Sequence, residues 1–156
     1  MGDDGRDNAG VVAPPPLIYL LPLLLGLLLN RRIGASFLPA GATRLVGAPL
    51  VAGGLSLGIW FLRALRGAGT PVDPREPVAA LVTSGPYRYS RNPGYLAMAM
   101  IYAGVSSLAN SLPSILLLPV ALGVIRRGVI EREERYLERS FGAEYLAYRA
   151  RVRRWL

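Results

Sequence analysis

Four long apolar runs, separated by short arginine-rich connections, constrain this chain of 156 residues more than any other feature. The runs cover residues 11–30, about 45–65, 96–108 and 112–125. Hydrophobic residues make up 52% of the chain, and the 18% that are charged gather at the ends of the runs. In lipid every backbone polar group must be satisfied within the protein, so such runs form helices. The sequence therefore predicts an all-α fold, a polytopic membrane helix bundle with about four transmembrane helices.

One domain with three parts is expected. Residues 1–10 are acidic, lack the cationic start of a secretory signal peptide and are predicted to be a disordered tail. Residues 11–66 are predicted to form the N-terminal membrane helices, and the small residues of the second run favour close helix packing in lipid. Residues 67–156 should carry the functional site on a linker, a helical hairpin and a C-terminal interfacial helix.

The third and fourth runs are joined by "ANSLPS", which is long enough only for a tight turn. The linker 63–92 and the chain after Arg126 must then lie on the same side of the membrane. Together with Arg6 these regions hold 15 of the 18 arginines, whereas Arg31, Arg32 and Arg44 flank the connection on the other side. Because cytoplasmic loops are enriched in Arg and Lys, the arginine-rich side is predicted to face the cytoplasm, in a bacterial inner membrane.

The fourth helix is predicted to continue into the cytosol as far as Gly142, because strong helix formers follow Arg126 without a break. After Gly142 an aromatic stripe recurs with helical spacing opposite a set of arginines. The stripe consists of Tyr145, Tyr148, Val152 and Trp155. This pattern is typical of an amphipathic helix that lies on the membrane surface.

Missing residue types exclude several kinds of chemistry. The chain has no Cys, no His and no Lys, so disulfides, thiolate nucleophiles and Schiff bases are ruled out and a metal site is not expected. All 18 basic residues are Arg, and the net charge is +8. Since the arginines flank membrane-length runs, cytoplasmic loops and anionic lipid explain them better than nucleic acid does.

The stretch "TSGPYRYSRNPGYL", residues 83–96, sets polar aromatic and cationic side chains at the start of the third run. Asn92 followed by Pro93 predicts a helix start, with Asn92 capping free backbone N–H groups. A helix N-terminus beside arginines favours an anion, and tyrosines offer aromatic faces. Across the hairpin, Glu133 and Glu134 add carboxylates at a similar depth. S-adenosylmethionine has matching parts, although interfacial anchoring and a solvated helix face also explain these residues.

Residues from about 79 to 154 resemble the isoprenylcysteine carboxyl methyltransferase and phospholipid methyltransferase group of membrane enzymes. The resemblance rests on "LVTSGPYRYSRNPGY" and "EERYLERSFGAEYLAYRARV". The group's signature is an Arg-His-Pro-x-Tyr or Arg-Asn-Pro-x-Tyr box, then Glu-Glu, then Phe-Gly-x-x-Tyr-x-x-Tyr. In this chain the three parts are residues 91–95, residues 133–134 and residues 141–148.

The resemblance implies a cytosol-facing S-adenosylmethionine pocket, closed by the C-terminal helices and open toward the bilayer for a lipophilic acceptor. It places cofactor contacts at Ala79, Ala80, Leu81, Val82, Tyr87, Asn92, Pro93, Gly94, Tyr95, Glu133 and Glu134. Within this region Glu133, Tyr95 and Arg91 are expected to serve catalysis. Arg126 and Arg127 are expected to orient an acidic head group of the acceptor, because Arg can hold such a group bidentately.

Two positions depart from the isoprenylcysteine enzymes. Val129 occupies the place of a substrate-binding Arg, and Asn92 stands where those enzymes have His. The departures favour a small lipid or amphiphile over a prenylated protein, and phospholipid N-methylation is an alternative. Two other classes of function are a membrane reductase of the sterol-reductase type and a non-catalytic membrane protein with the same fold.

Overall fold

The computed structural model describes residues 10–39, 41–73, 76 and 78–156, so the predicted tail at 1–10 lies outside the described residues except for Gly10. Every regular element in this part of the chain is helical. The elements are α1 (Pro15–Ile33), α2 (Ala42–Gly67), a 3₁₀ turn (Gly85–Arg88), α3 (Pro93–Leu108), α4 (Leu112–Ile125), a π-helical turn (Arg126–Ile130) and α5 (Glu131–Arg151). The predicted all-α class is confirmed.

Three helices of the described chain are long and apolar enough to cross a membrane. They are α1, α2 and the continuous helix that starts with α4 and runs through α5. The third predicted run forms α3, which has only 16 residues, fewer than the roughly 20 that a full span needs. Large apolar side chains such as Leu21 are exposed on the outer surface of the bundle, as a lipid-facing surface requires.

Helix α3 occupies the centre of the bundle, with α2 packed against it on one side and α1 and α4 on the other. The approach of α2 is close because glycines face each other across it. A Cβ atom added to Gly104 would lie 2.6 Å from Cγ2 of Val51 and 2.9 Å from the carbonyl oxygen of Gly47. Tyr19, Tyr102, Ala121, Ile125, Val129 and Ile130 form the buried core between α1, α3 and the fourth helix.

Asn110 ties together the two connections at one end of the bundle. It sits in the turn between α3 and α4 with φ 46°, and its Oδ1 accepts hydrogen bonds from the backbone N–H groups of Phe37 and Leu38 at 3.1 and 2.9 Å. The α1–α2 loop and the predicted hairpin turn therefore share this end. Arg31, Arg32 and Arg44 flank the same loop, opposite the end at which α3 begins.

The π-helical turn decides which side chains face inward at the end of α4. Gly128, Val129 and Ile130 are buried, whereas Arg126 and Arg127 are exposed. The carbonyl oxygen of Gly128 accepts a hydrogen bond from the backbone N–H of Val12 at 3.2 Å, which fastens the chain before α1 to this turn.

The C-terminal region breaks at Gly142, as predicted, where the backbone adopts φ 47° and ψ −121° within α5. The predicted membrane-facing stripe is wrong for its two tyrosines. Tyr145 and Tyr148 are only 1% and 4% exposed and face the protein interior. Their hydroxyl groups find hydrogen-bond partners there, on Arg91 and on the backbone of Tyr87. A phenol with a buried partner is better satisfied inside the protein than at a lipid interface.

Candidate functional site

A cavity of about 450 Å³ lies at the end of the bundle where α3 begins, within the size range of small-molecule sites. Its wall combines the start of α1, the end of α2, residues from 70–73 and 78–82, the start of α3 and parts of α5. The apolar part of this wall includes Pro15, Phe61, Leu65, Val72 and Met98. A few polar side chains converge on the same space, which is the pattern of a built ligand site.

Helix α3 begins at Pro93, as predicted from its sequence. The prediction that Asn92 caps this helix is wrong, because its side chain makes no cap bond among the described residues. Instead Nδ2 of Asn92 donates to the carbonyl oxygen of Arg154 at 2.9 Å, and the backbone N–H of Asn92 donates to Oγ of Ser90 at 3.1 Å. At Gly94 the absent side chain leaves room for Phe61, whose ring would lie 2.9 Å from an added Cβ atom.

Glu133 and Tyr95 form a short polar contact in the site, with the Tyr95 hydroxyl donating to Oε1 of Glu133 at 2.6 Å. The apolar run 112–125 ends well before Glu133, so this carboxyl lies outside the apolar part of the long helix. Burial raises the pKa of the Glu133 carboxyl from 4.5 to about 7; the Tyr95 hydrogen bond lowers it and nearby Glu134 raises it. This carboxyl can therefore exchange a proton, or pair with a cation, near neutral pH.

Glu134 is held differently from its neighbour, since it pairs with two arginines. Nη1 of Arg91 lies 3.0 Å from one carboxylate oxygen, and Nε and Nη2 of Arg154 donate to the two oxygens at 3.0 and 2.6 Å. The Arg91 and Glu134 side chains are only 11% and 13% exposed. The hydrogen bonds with Glu134 raise the pKa of Arg154 further above its usual range. Glu134 therefore holds the guanidinium groups of Arg91 and Arg154 close together beside the cavity.

Tyr87 forms part of the aromatic wall, with its ring 6.1 Å from that of Phe61. Its backbone oxygen accepts a hydrogen bond from the Tyr148 hydroxyl at 2.8 Å, which joins the 3₁₀ turn to α5. Burial, and then the nearby Glu133 charge, raise the pKa of Tyr87 well above its ordinary value. The phenol therefore stays protonated at neutral pH.

The segment before the 3₁₀ turn covers one side of the cavity. The backbone N–H of Val78 donates to the Tyr136 hydroxyl at 3.2 Å, and the Thr70 hydroxyl donates to the carbonyl oxygen of Ala80 at 3.3 Å. Ala80, Leu81 and Val82 line the cavity, whereas Ala79 points away from it and is exposed.

The structure brings together most of the residues that the sequence predicted for the site. Those that line the cavity are Ala80, Leu81, Val82, Tyr87, Arg91, Asn92, Pro93, Gly94, Tyr95, Glu133 and Glu134. Arg126 and Arg127 are not in its wall: the π-helical turn directs them outward, and Nε of Arg126 lies 3.3 Å from Oε1 of Glu131 on the surface. Val129, at the position of the related enzymes' Arg, is fully buried in the core.

Several residues of the site were not predicted from the sequence. Tyr145 and Tyr148 line the cavity and belong to the third part of the signature, so the motif could have identified them as site residues. Tyr136, Phe61 and the proline run 14–16 carry no such signal, because only the fold brings them to the cavity. The described residues hold no group of three or more Asp, Glu, His or Cys side chains placed to bind a metal.

The fold is that of a helical membrane protein, with a cavity at the end of the bundle where α3 begins. A sequence profile of the phospholipid methyltransferase family matches residues 42–144, well over half of the chain. The chain therefore belongs to the phospholipid methyltransferase family of membrane methyltransferases. An uncharacterized protein of Haemophilus influenzae is 44% identical over 63 residues, which cover 40% of this chain and 98% of that protein. No solved structure matches the chain.

Proposed function

We propose that this protein is an integral membrane methyltransferase that uses S-adenosylmethionine and methylates a lipophilic or amphiphilic acceptor. The observation that carries the proposal is the cavity in which the Tyr95–Glu133 pair meets the start of α3 and the aromatic wall. Membership of a methyltransferase family supplies the reaction type, and family members generally use this cofactor.

The residues present fit S-adenosylmethionine. Glu133 is a partly buried carboxyl that binds Tyr95 and can receive an ammonium or sulfonium charge. Tyr87 and Tyr148 offer aromatic surface, which attracts cations and stacks on rings. The segment 80–82 adds backbone along one side. When bound, the cofactor supplies an activated methyl group.

The chain's own contribution is positioning and proton handling. Methyl transfer needs the acceptor atom held in line with the methyl group, and such positioning can be worth about 7 to 11 kcal/mol. A carboxylate acceptor needs no base. An ammonium or hydroxyl acceptor must lose a proton, and Oε1 of Glu133, held by the Tyr95 hydroxyl, is the group in the cavity suited to take it.

We propose that the acceptor arrives from the bilayer. Much of the cavity wall is apolar, including Pro15 at the start of α1, Phe61 near the end of α2 and Met98 of α3. A water-soluble acceptor would gain little from such a wall. With Arg126 and Arg127 on the outer surface, we assign them no role inside the cavity; their position at the end of the apolar helix suits contact with lipid head groups.

A phospholipid amine is the more specific candidate acceptor, supported by the family match. Val129 is buried in the core, so this position cannot present a cation to the carboxylate of a prenylated protein. We further propose that the cavity faces the cytoplasm of a bacterial inner membrane, because most arginines of the chain flank this end of the bundle.

Two measurements on the purified protein in detergent test the proposal. Calorimetry should show S-adenosylmethionine binding that Glu133→Gln weakens by about 1 to 3 kcal/mol, as expected for a lost charge-assisted contact. Radiolabelled methyl transfer to total bacterial membrane lipids should then give a labelled lipid, separable by chromatography. A folded protein that binds no S-adenosylmethionine would contradict the assignment, and turnover on a hydrophilic acceptor alone would contradict access from the bilayer.

A further inference from the structure

Arg91 lines the cavity with one donor unused. Its Nη1 contacts Glu134 at 3.0 Å and the Tyr145 hydroxyl at 3.3 Å, while its buried Nε has no hydrogen-bond partner in the described part of the chain. A buried guanidinium N–H without a partner is costly, and such groups in native structures require an explanation. Arg91 also lines the cavity, so a ligand group that accepts a hydrogen bond would give its guanidinium a further partner.

The charge of the surrounding cluster indicates what kind of group this is. Arg91 and Arg154 share the carboxylate of Glu134, so two positive charges face one negative charge and the cluster keeps a net charge of +1. Without Arg154, Arg91 and Glu134 would form a neutral pair with little attraction for an anion. Because the cluster is mostly buried, this difference is weakly screened by solvent.

We propose that Arg154 is a positioning residue, which engages Glu134 so that Arg91 can bind the carboxylate of an amino-acid group in the cavity. Glu133 lines the same cavity and is the partner for the ammonium of that group. The inference rests on the proposed function, because the amino-acid end of S-adenosylmethionine carries both charges.

Arg154 is well placed to act through its side chain alone. Its backbone carbonyl accepts hydrogen bonds from Nδ2 of Asn92 at 2.9 Å and from Oγ of Ser90 at 3.3 Å, and these contacts survive substitution of the side chain. The backbone N–H of Arg91 is likewise held by the carbonyl oxygen of Arg153 at 3.0 Å. Arg154→Gln should therefore remove the charge while the C-terminal segment stays in place.

The test compares S-adenosylmethionine with its decarboxylated analogue, which keeps the adenine, sulfonium and ammonium but lacks the carboxylate. Calorimetry on the full-length protein in detergent should show a preference of about 10- to 100-fold for the carboxylate-bearing compound. Arg154→Gln should abolish most of this preference and leave the affinity for the analogue nearly unchanged. Arg154→Lys, which keeps the charge, should restore part of it. Arg149→Gln is the matched control, because Arg149 is exposed and pairs with Glu138 at the surface.

A second variant changes the charge of the cluster in the opposite direction. Glu134→Gln removes the negative charge and leaves both arginines, so it should keep or increase the preference, whereas a purely structural role for the cluster predicts weaker binding of both compounds. Equal weakening of both compounds by Arg154→Gln would overturn the proposal, as would equal affinity of the unsubstituted protein for the two. If the unsubstituted protein binds the two compounds equally well, the proposed methyltransferase function would still stand. Binding of neither compound would remove both proposals.

Discussion

The hydroxyl group of Tyr95 lies 2.6 Å from Oε1 of Glu133 and donates a hydrogen bond to it. Tyr95 belongs to the first turn of α3 and Glu133 to the first turn of α5, so the bond crosses from one arm of the hairpin to the extension of the other. It links a side chain from each of two distant parts of the sequence signature. Burial raises the pKa of this carboxyl, and the Tyr95 hydrogen bond favours its charged form.

Tyr95→Phe should weaken S-adenosylmethionine binding, because the partly buried Glu133 carboxylate loses the donor that stabilises its charged form. We expect a loss of about 3- to 10-fold at pH near 7, in line with one hydrogen bond to a charged group. The loss should shrink at higher pH, where the carboxyl is ionised in both proteins. Calorimetry across pH measures it, with Tyr89→Phe as the matched control on an exposed tyrosine. A deficit that is the same at every pH would contradict this explanation.

The affinity of the unsubstituted protein for S-adenosylmethionine should itself rise with pH. Burial raises the pKa of Glu133 to about 7, and the ionised form is the one that attracts a cation. Between about pH 6 and about pH 8 the affinity should rise by about tenfold as the ionised fraction grows. In Glu133→Gln the same pH range should give a nearly constant affinity. A falling affinity in the unsubstituted protein would show that another group controls binding.

The stability of the unliganded protein should change with pH in the opposite direction. The Glu133 pKa is higher in the folded protein than its ordinary value of 4.5, so the folded state binds this proton more tightly than the unfolded chain does. The group's contribution to stability is thus fully present below about pH 4.5 and is lost as the pH rises through about 7. Thermal unfolding in detergent should show that Glu133→Gln removes part of this dependence.

The sequence predicted the membrane helices and the hairpin well, because these follow from local properties. Pro93 at the start of α3, the apolar run 112–125 and the break at Gly142 are each signalled by neighbouring residues. Each of these features depends on residues that are close in sequence, so it could be predicted without knowledge of the fold. Most of the residues that the resemblance assigned to the site also line the cavity, although they form less than half of its wall.

Contacts between residues that are distant in the chain could not be predicted from the sequence. The sequence assigned both Glu133 and Glu134 to the cofactor, yet one binds Tyr95 and the other binds Arg91 and Arg154. The π-helical turn shifts the helix face by a residue relative to regular α-helical spacing, which turns Arg126 away from the cavity. The tyrosines after Gly142 looked suited to lipid because their buried partners on the 3₁₀ turn and at Arg91 are distant in sequence.

The close contact between α2 and α3 should be sensitive to a single methyl group. Gly104→Ala would place its Cβ atom 2.6 Å from Cγ2 of Val51 and 2.8 Å from the backbone nitrogen of Val51, so the helices must separate. We expect a loss of about 1 to 3 kcal/mol in stability, seen as a lower unfolding temperature in detergent. Gly123→Ala is the matched control in α4, where an added Cβ atom meets no atom within 4 Å. Equal effects of the two substitutions would contradict the packing described for α2 and α3.

The two ends of the bundle should lie on opposite sides of the membrane, with the cavity end inside the cell. Single cysteines in this Cys-free chain can report it at Ser84, Ala109 and Ala150, which are all exposed, whereas Ser111 in the same turn as Ala109 is buried. In intact bacterial cells an impermeant maleimide should label position 109 and spare positions 84 and 150 until the membrane is opened. The expected side follows from the arginine distribution, since the three arginines at the Ala109 end are outnumbered by those near the cavity.

Labelling of positions 84 and 109 from the same side would contradict the hairpin. Labelling of positions 84 and 150 from outside, with 109 protected, would invert the orientation while leaving the arrangement of the helices intact.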